Sequence, residues 1–199
     1  MATISDFKSM LQGGGARPNQ FRVELSFPSF VGVAGVTGLA TQFLCKATSL
    51  PASTITPATA YYRGRPVHFA GEREFQPWTI EVYNDTNFSI RNALEQWQGK
   101  ILNYSGTNGV VKATDYQVDL TVHQLDRNDN IAKTYKFHDA FPIEVGQIAL
   151  DFEQNNQIEI FPVTFQYNYF TTPTAQDDGA NFGVNMSVNT PVGTFPVSL

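Results

Sequence analysis

The sequence predicts an antiparallel β-sandwich or barrel with one flanking helix, on three observations. Four segments alternate apolar and polar residues with period two, polar turn clusters separate them, and only one segment repeats at helical spacing.

In chain order, residues 1–15 end in Gly13-Gly14-Gly15 and are expected to form a flexible N-terminal segment. The triple glycine is no phosphate cradle, because no strand precedes it and no Lys-Ser/Thr follows. The first strand places Phe21, Val23, Leu25 and Phe27 opposite Arg22, Glu24 and Ser26. Residues 28–42, rich in Gly and Val, show no clear period. The stretch Phe43-Leu44-Cys45-Lys46-Ala47-Thr48-Ser49-Leu50-Pro51 reads as a strand end that leads into a contact loop over 50–73, carrying Ile55, Tyr61, Tyr62, Arg63 and Arg65. A stretch this long without period, bearing aromatic and guanidinium groups, is expected to meet a partner.

Trp78, Ile80 and Val82 alternate with Thr79, Glu81 and Tyr83. Ile90, Leu94, Trp97 and Ile101 then recur at helical spacing, with Asn87 or Ser89 as N-cap candidates. Tyr116, Val118, Leu120 and Val122 oppose Gln117, Asp119, Thr121 and His123, and Phe161, Val163, Phe165, Tyr167 and Tyr169 form the final aromatic strand. Polar turns are expected at 126–130 and 154–157. One wet face per strand implies antiparallel sheets. The core domain is expected over 16–170, followed by a 171–199 extension. In that extension Phe182, Val184, Met186 and Val188 alternate as a strand that needs a partner edge or outer surface, while Pro191 and Pro196 disfavour a central strand.

A chain of 199 residues with 42% hydrophobic and 13% aromatic content can bury one good core. Only 16% of residues are charged, a neutral polar balance that suits contact with other proteins. The net charge of −5 and the absence of a Lys/Arg run argue against specific nucleic-acid binding. No segment approaches the roughly 20 apolar residues of a bilayer span, and the first residues lack a secretory pattern, so a soluble protein made and kept in a cytoplasm, with no membrane anchor, is expected.

Catalytic and metal signatures are weak. Cys45 is the single cysteine, no cysteine-enzyme signature accompanies His68, His123 or His138, and Lys46 points to the opposite strand face, so a packed thiol is the expectation. Asp126, Asn128 and Asn130 have calcium-loop spacing, but Ile131 and Phe137 stand where Gly and Glu are needed, which favours a hairpin turn. A hydrolase reading would use His123 or His138 with Asp119 or Asp139, without a positioned nucleophile. No cofactor and no metal are expected.

The order of motifs carries more. Ala16-Arg17-Pro18-Asn19-Gln20-Phe21, then FLCKATSLPAS, then Ala70-Gly71-Glu72-Arg73-Glu74-Phe75 with Trp78-Thr79-Ile80 and VYND, then the helix with its Trp-Gln pair, FPIEVGQIALDF and IEIFPVTFQYNYF, closely resembles the tail tube proteins of T4-like contractile-tailed phages, from about Ala16 to Phe170. The resemblance implies a β-sandwich or barrel shared with the type VI secretion Hcp protein. It also implies hexameric rings stacked into a hollow tube that conducts the genome, with a tail sheath protein outside and a tape-measure protein and baseplate as further partners. Double-stranded DNA would pass in transit without specific binding, and the location would be the virion tail. No catalytic residue is carried over, Cys45 is implied to pack within a strand, and Leu50-Pro51 to enter the contact loop. Wet-face residues Glu24, Glu81, Gln117, Asp119 and Thr121 are the candidates for a polar, weakly acidic bore lining. The same fold would also serve an Hcp-like carrier of an injection or secretion system, or a baseplate-proximal tube initiator. A ligand-holding β-sandwich is the binding-module alternative.

Overall fold

The computed structural model describes residues 3–11, 15–32, 42, 44–106, 108–109 and 112–172. Phe182, Val184, Met186, Val188 and most of the 28–42 segment lie outside the described residues.

Most of the alternation read in the described residues becomes strand, although the first strand stops at Glu24, short of Leu25 and Phe27, and Tyr167 lies between two strands. Strands β1 (Phe21–Glu24), β2 (Cys45–Thr48), β5 (Trp78–Tyr83), β6 (Val118–Leu125), β7 (Ile131–Val145), β8 (Ile160–Gln166) and β9 (Tyr169–Thr171) form a seven-stranded antiparallel sheet in the order β1-β6-β7-β8-β5-β2, with β9 also on β7. Strands β3 (Ser53–Tyr62) and β4 (Arg65–Phe75) form a separate two-stranded ribbon. Helices α1 (Ile4–Met10), α2 (Ser89–Ile101) and α3 (Ala113–Tyr116) complete the described elements.

β7 divides its length between two ladders. Ile131–Ala140 pairs with β6, with β9 on its other side at Lys136–His138, whereas Phe141–Val145 pairs with β8. The change falls at Asp139, whose φ of 58° is left-handed, a conformation Asp tolerates better than most residues. Side chains hold the bend: the Asp139 N–H donates to Asp119 Oδ1 at 3.4 Å, and Asn168 Nδ2 donates to Asp139 Oδ2 at 2.9 Å. Strands that switch sheets at such corners let one ladder fold over another.

The inner faces meet in an aromatic core. Trp78 of β5 stacks on Phe137 of β7 with centroids 4.3 Å apart, and Phe165 and Tyr167 pack beside them. Val23, Ile80, Val82, Leu120, Val122, Phe161 and Val163 are buried beside them as the alternation predicts. Helix α2 lays Ile90, Ala93, Leu94 and Trp97 on this core, and the Trp97 Nε1–H donates to the Tyr116 carbonyl at 2.8 Å.

Four local expectations are corrected. Neither Asn87 nor Ser89 caps α2: Phe88 takes the cap position with φ 53°, and the Asp85 carboxylate accepts from the Ser89 N–H at 2.8 Å and the Ser89 hydroxyl at 2.7 Å. Tyr116 ends the one-turn helix α3 instead of opening a strand. The connection from β7 to β8 runs from Gly146 to Glu159, longer than the turn read at 154–157, because β8 starts only at Ile160. Residues 1–15 contain α1, started by a Thr3–Asp6 capping box legible in the sequence, although none of its residues is buried.

Trp97→Ala is expected to destabilise the body by about 3–5 kcal/mol in urea unfolding, since it empties the helix–sheet seam. Trp97→Phe keeps most of the volume but strands the Tyr116 carbonyl, for a cost of about 1–3 kcal/mol.

Candidate assembly surfaces

The segment 50–73, expected as a loop, is a β-hairpin. Ser53↔Phe75 to Tyr62↔Arg65 pair in register, and the chain reverses through Arg63 and Gly64, with φ of 49° and 81°. Two successive positive φ values make the primed turn whose twist matches its strands, and Gly64 supplies the second at no steric cost. A bulge between Ile55 and Pro57 faces Gly71, where an added Cβ would lie 2.3 Å from the Thr56 carbonyl oxygen. Only Gly allows that approach. Leu50 and Pro51, read as the entry to a loop, lead instead into β3, the Leu50 side chain exposed.

Every residue of β3 is exposed, as is every residue of β4 before Phe75. Directly paired residues share a face, so the register puts Ala58, Ala60, Tyr62, Arg65, Val67 and Phe69 on one side. Ile55 is also exposed, Tyr61 is 77% exposed and Tyr62 66%, and the Arg63 guanidinium lies 5.4 Å from the Tyr62 ring centroid. The apolar and aromatic area named at the sequence level is therefore gathered on one ribbon standing away from the core.

The candidate lining residues divide into two groups. Glu24 of β1 is paired with Thr121 of β6, and Thr121 with Lys136 of β7. Asp119 lies farther along β6 and Gln117 immediately precedes that strand. Glu81 sits on β5 and does not join them. Their carboxylates have cationic or imidazole neighbours: Glu81 to Lys46 at 3.1 Å, Asp119 to Lys136 at 2.7 Å and His138 at 3.4 Å, Glu24 to His123 at 3.7 Å. These faces are thus polar with compensated charge more than acidic. Desolvation alone would raise the Asp119 carboxyl, but the Lys136 hydrogen bond, the charges of His138 and Lys136 and the Asp139 N–H hold it below its ordinary value.

The histidines of the hydrolase reading serve as cross-strand rungs. His123 Nδ1 shares a hydrogen bond with Thr134 Oγ1 at 2.9 Å, and His138 Nε2 does so with Thr171 Oγ1 at 2.9 Å. Asp126 completes a hairpin turn: its carboxylate accepts from the N–H groups of Asn128 and Asn130 and from Asn130 Nδ2. Among the described residues no group of three or more His, Cys, Asp or Glu is arranged to hold a metal, and no helix is long and apolar enough to cross a membrane. Cys45 opens β2 half-buried, with Lys46 turned outward to Glu81. Burial pushes its thiol up to about 12 and the Glu81 charge adds to this, against a smaller lowering from the Ala47 backbone.

Two outcomes follow from these environments. A thiol titrating near 12 stays protonated at neutral pH. Native protein should react slowly with a disulfide reagent and unfolded protein fast, and Cys45→Ala should cost only about 0.5–1 kcal/mol and leave assembly intact. Asp119, lowered from 3.8 in the fold, binds fewer protons there than in the unfolded chain. Its stabilisation is complete above that value and lost as pH falls through it toward the lower folded value. Asp119→Asn, at about 0.2–1 kcal/mol for a half-exposed pair, should therefore flatten the acid limb of a stability–pH curve and remove the difference from wild type at the lowest pH.

Residues 16–173 match the phage tail tube protein family. The tail tube protein gp19 of Enterobacteria phage T4 is 31% identical over 159 residues, covering 79% of this chain and 92% of that protein. The tail tube protein of Serratia phage KSP90 is 31% identical over 169 residues, covering 84% and 95%. Among solved structures, a chain in the sheath–tube complex of the extracellular contractile injection system PVC superposes with a TM-score of 0.53 at 13% identity, over 86% of this chain and 98% of that one. At this identity the likeness is one of fold. The paired body, its exposed hairpin and the span of the sequence match together establish that the chain belongs to the phage tail tube protein family.

Proposed function

We propose that this chain is the repeating subunit of a hollow phage tail tube, stacked as hexameric rings, wrapped by a contractile sheath and conducting the genome toward the host. The tape-measure protein and the baseplate are its other partners, and the subunit is assembled in the host cytoplasm before residing in the virion tail. One observation carries the reading. The β3–β4 hairpin exposes Ile55, Tyr61, Tyr62, Val67 and Phe69 on a two-stranded ribbon. A lone two-stranded hairpin is marginal in water, so a surface of this composition is stabilised by a neighbouring subunit.

The wet faces bearing Glu24, Gln117, Asp119 and Thr121, or Glu81, suit a bore. On these faces Lys46 is paired with Glu81 and Lys136 with Asp119, so these two ammonium groups are less available to hold a phosphate of double-stranded DNA in passage.

Tyr61→Ala combined with Tyr62→Ala should leave a folded protein, since neither residue belongs to the core, that no longer polymerises in negative-stain electron microscopy. Normal tubes from that variant would remove the hairpin from the assembly contact.

A further inference from the structure

The loop between β7 and β8 carries a second surface that the core does not use. Leu150 is 80% exposed, Ile158 65%, and Phe152 is completely exposed. Three large apolar side chains on one short loop are unusual for an outer surface with no partner. From Gly146 to Ile160 the chain contains Asp151, Glu153 and Glu159 and no Lys or Arg. Leu150, Asp151, Gln154, Ile158, Glu159 and Ile160 line most of a depression of about 290 Å³ there. The loop is held in place from β5 and α2: the Asn84 N–H donates to the Glu159 carbonyl at 2.9 Å, Asn84 Nδ2 to Glu159 Oε2 at 2.7 Å, and Arg91 Nη1 to the Gly146 carbonyl at 3.0 Å.

The hairpin tip is its complement. Between Ser49 and Gly71 the chain carries Arg63 and Arg65 and no carboxylate, beside the exposed rings of Tyr61 and Tyr62. Neither arginine is ion-paired among the described residues.

Strand register sets the base of the hairpin and the β8 end of the loop at opposite ends of β5. The hairpin leaves from β2 and returns to β5 at Trp78, which is paired with Phe165, whereas the loop enters β8 at Ile160, paired with Tyr83 at the far end of β5. About 17 Å of strand separates them, at roughly 3.3 Å per residue. One contact between a cationic aromatic tip and an acidic apolar depression leaves a free tip on one copy and a free depression on the other. Repeated head to tail, such a contact closes into a ring or continues as an open polymer.

We propose that the hairpin tip of one copy docks into the Ala149–Ile160 loop of the next, with Tyr61 or Tyr62 entering the depression and Arg63 and Arg65 facing Asp151 and Glu153. This rests on the reading of the hairpin as the assembly arm and names its receptor as a second copy of this chain.

Charge reversal tests the pairing. Arg63→Glu with Arg65→Glu, and separately Asp151→Lys with Glu153→Lys, should each raise the protein concentration needed for polymerisation by about tenfold or more. All four changes in one chain should restore tubes. If the loop variant polymerises like wild type while the hairpin variant does not, the arm is real but its receptor lies elsewhere. If both polymerise normally, the arm reading falls as well. Failure of the four-fold variant to recover also overturns the pairing. A second measurement does not depend on charge: in a Cys45→Ala background, tubes from a mixture of Tyr62→Cys and Glu153→Cys subunits should yield oxidised cross-linked dimers. Tubes that give no such dimers would refute the contact.

Discussion

The bend of β7 at Asp139 is the constraint on which the rest of the body depends. A straight strand of 15 residues would extend about 50 Å, too long for a single sheet face of this size to cover. By turning at one left-handed residue, β7 gives its first part to β6 and β9 and its last part to β8, and the two ladders close over Trp78, Phe137 and Phe165. The corner is secured by polar side chains from outside, Asp119 and Asn168, so that the core within it stays apolar. Asp119 is thereby tied to the corner backbone, to Lys136 and to His138 at once.

Burial is divided unevenly between body and arm. Strands β1, β5, β6, β7 and β8 place alternate residues in the core, and α2 seals one side with Trp97. The β3–β4 ribbon contributes only Phe75 at its base, which packs on Tyr167 and Phe170. Backbone pairing and a well-matched turn give the ribbon its shape, while its apolar side chains remain uncommitted within the subunit. That division suits a protein whose subunit folds first and polymerises afterwards.

The polar faces use charge sparingly. Carboxylates that would make a face acidic are opposed by Lys46, Lys136 and the imidazoles, and the histidine nitrogens are engaged with threonine hydroxyls across neighbouring strands. These rungs stiffen a solvated sheet. The packed, protonated Cys45 thiol fits the same structural role.

The sequence by itself determined the strands that bury one face, the helix over Ser89–Ile101, the turn at Asp126–Asn130 and the packed state of Cys45. One-sided burial writes itself as alternation, and a helix on a sheet as 3.6-residue spacing. The hairpin escaped for the converse reason: neither of its faces is buried in the subunit, so β3 and β4 carry no alternation, and only the Arg63-Gly64 pair hinted at a two-residue turn. Its residues were legible as contact groups but not as a strand pair. The cap of α2 from Asp85 was hidden by the left-handed Phe88, which shifts the usual spacing between cap and helix. Tertiary structure alone decided that Glu81 stands apart from Glu24, Asp119 and Thr121, and that the base of the hairpin and the acidic loop meet opposite ends of β5, because sheet order and register bring together or part residues that local spacing cannot relate.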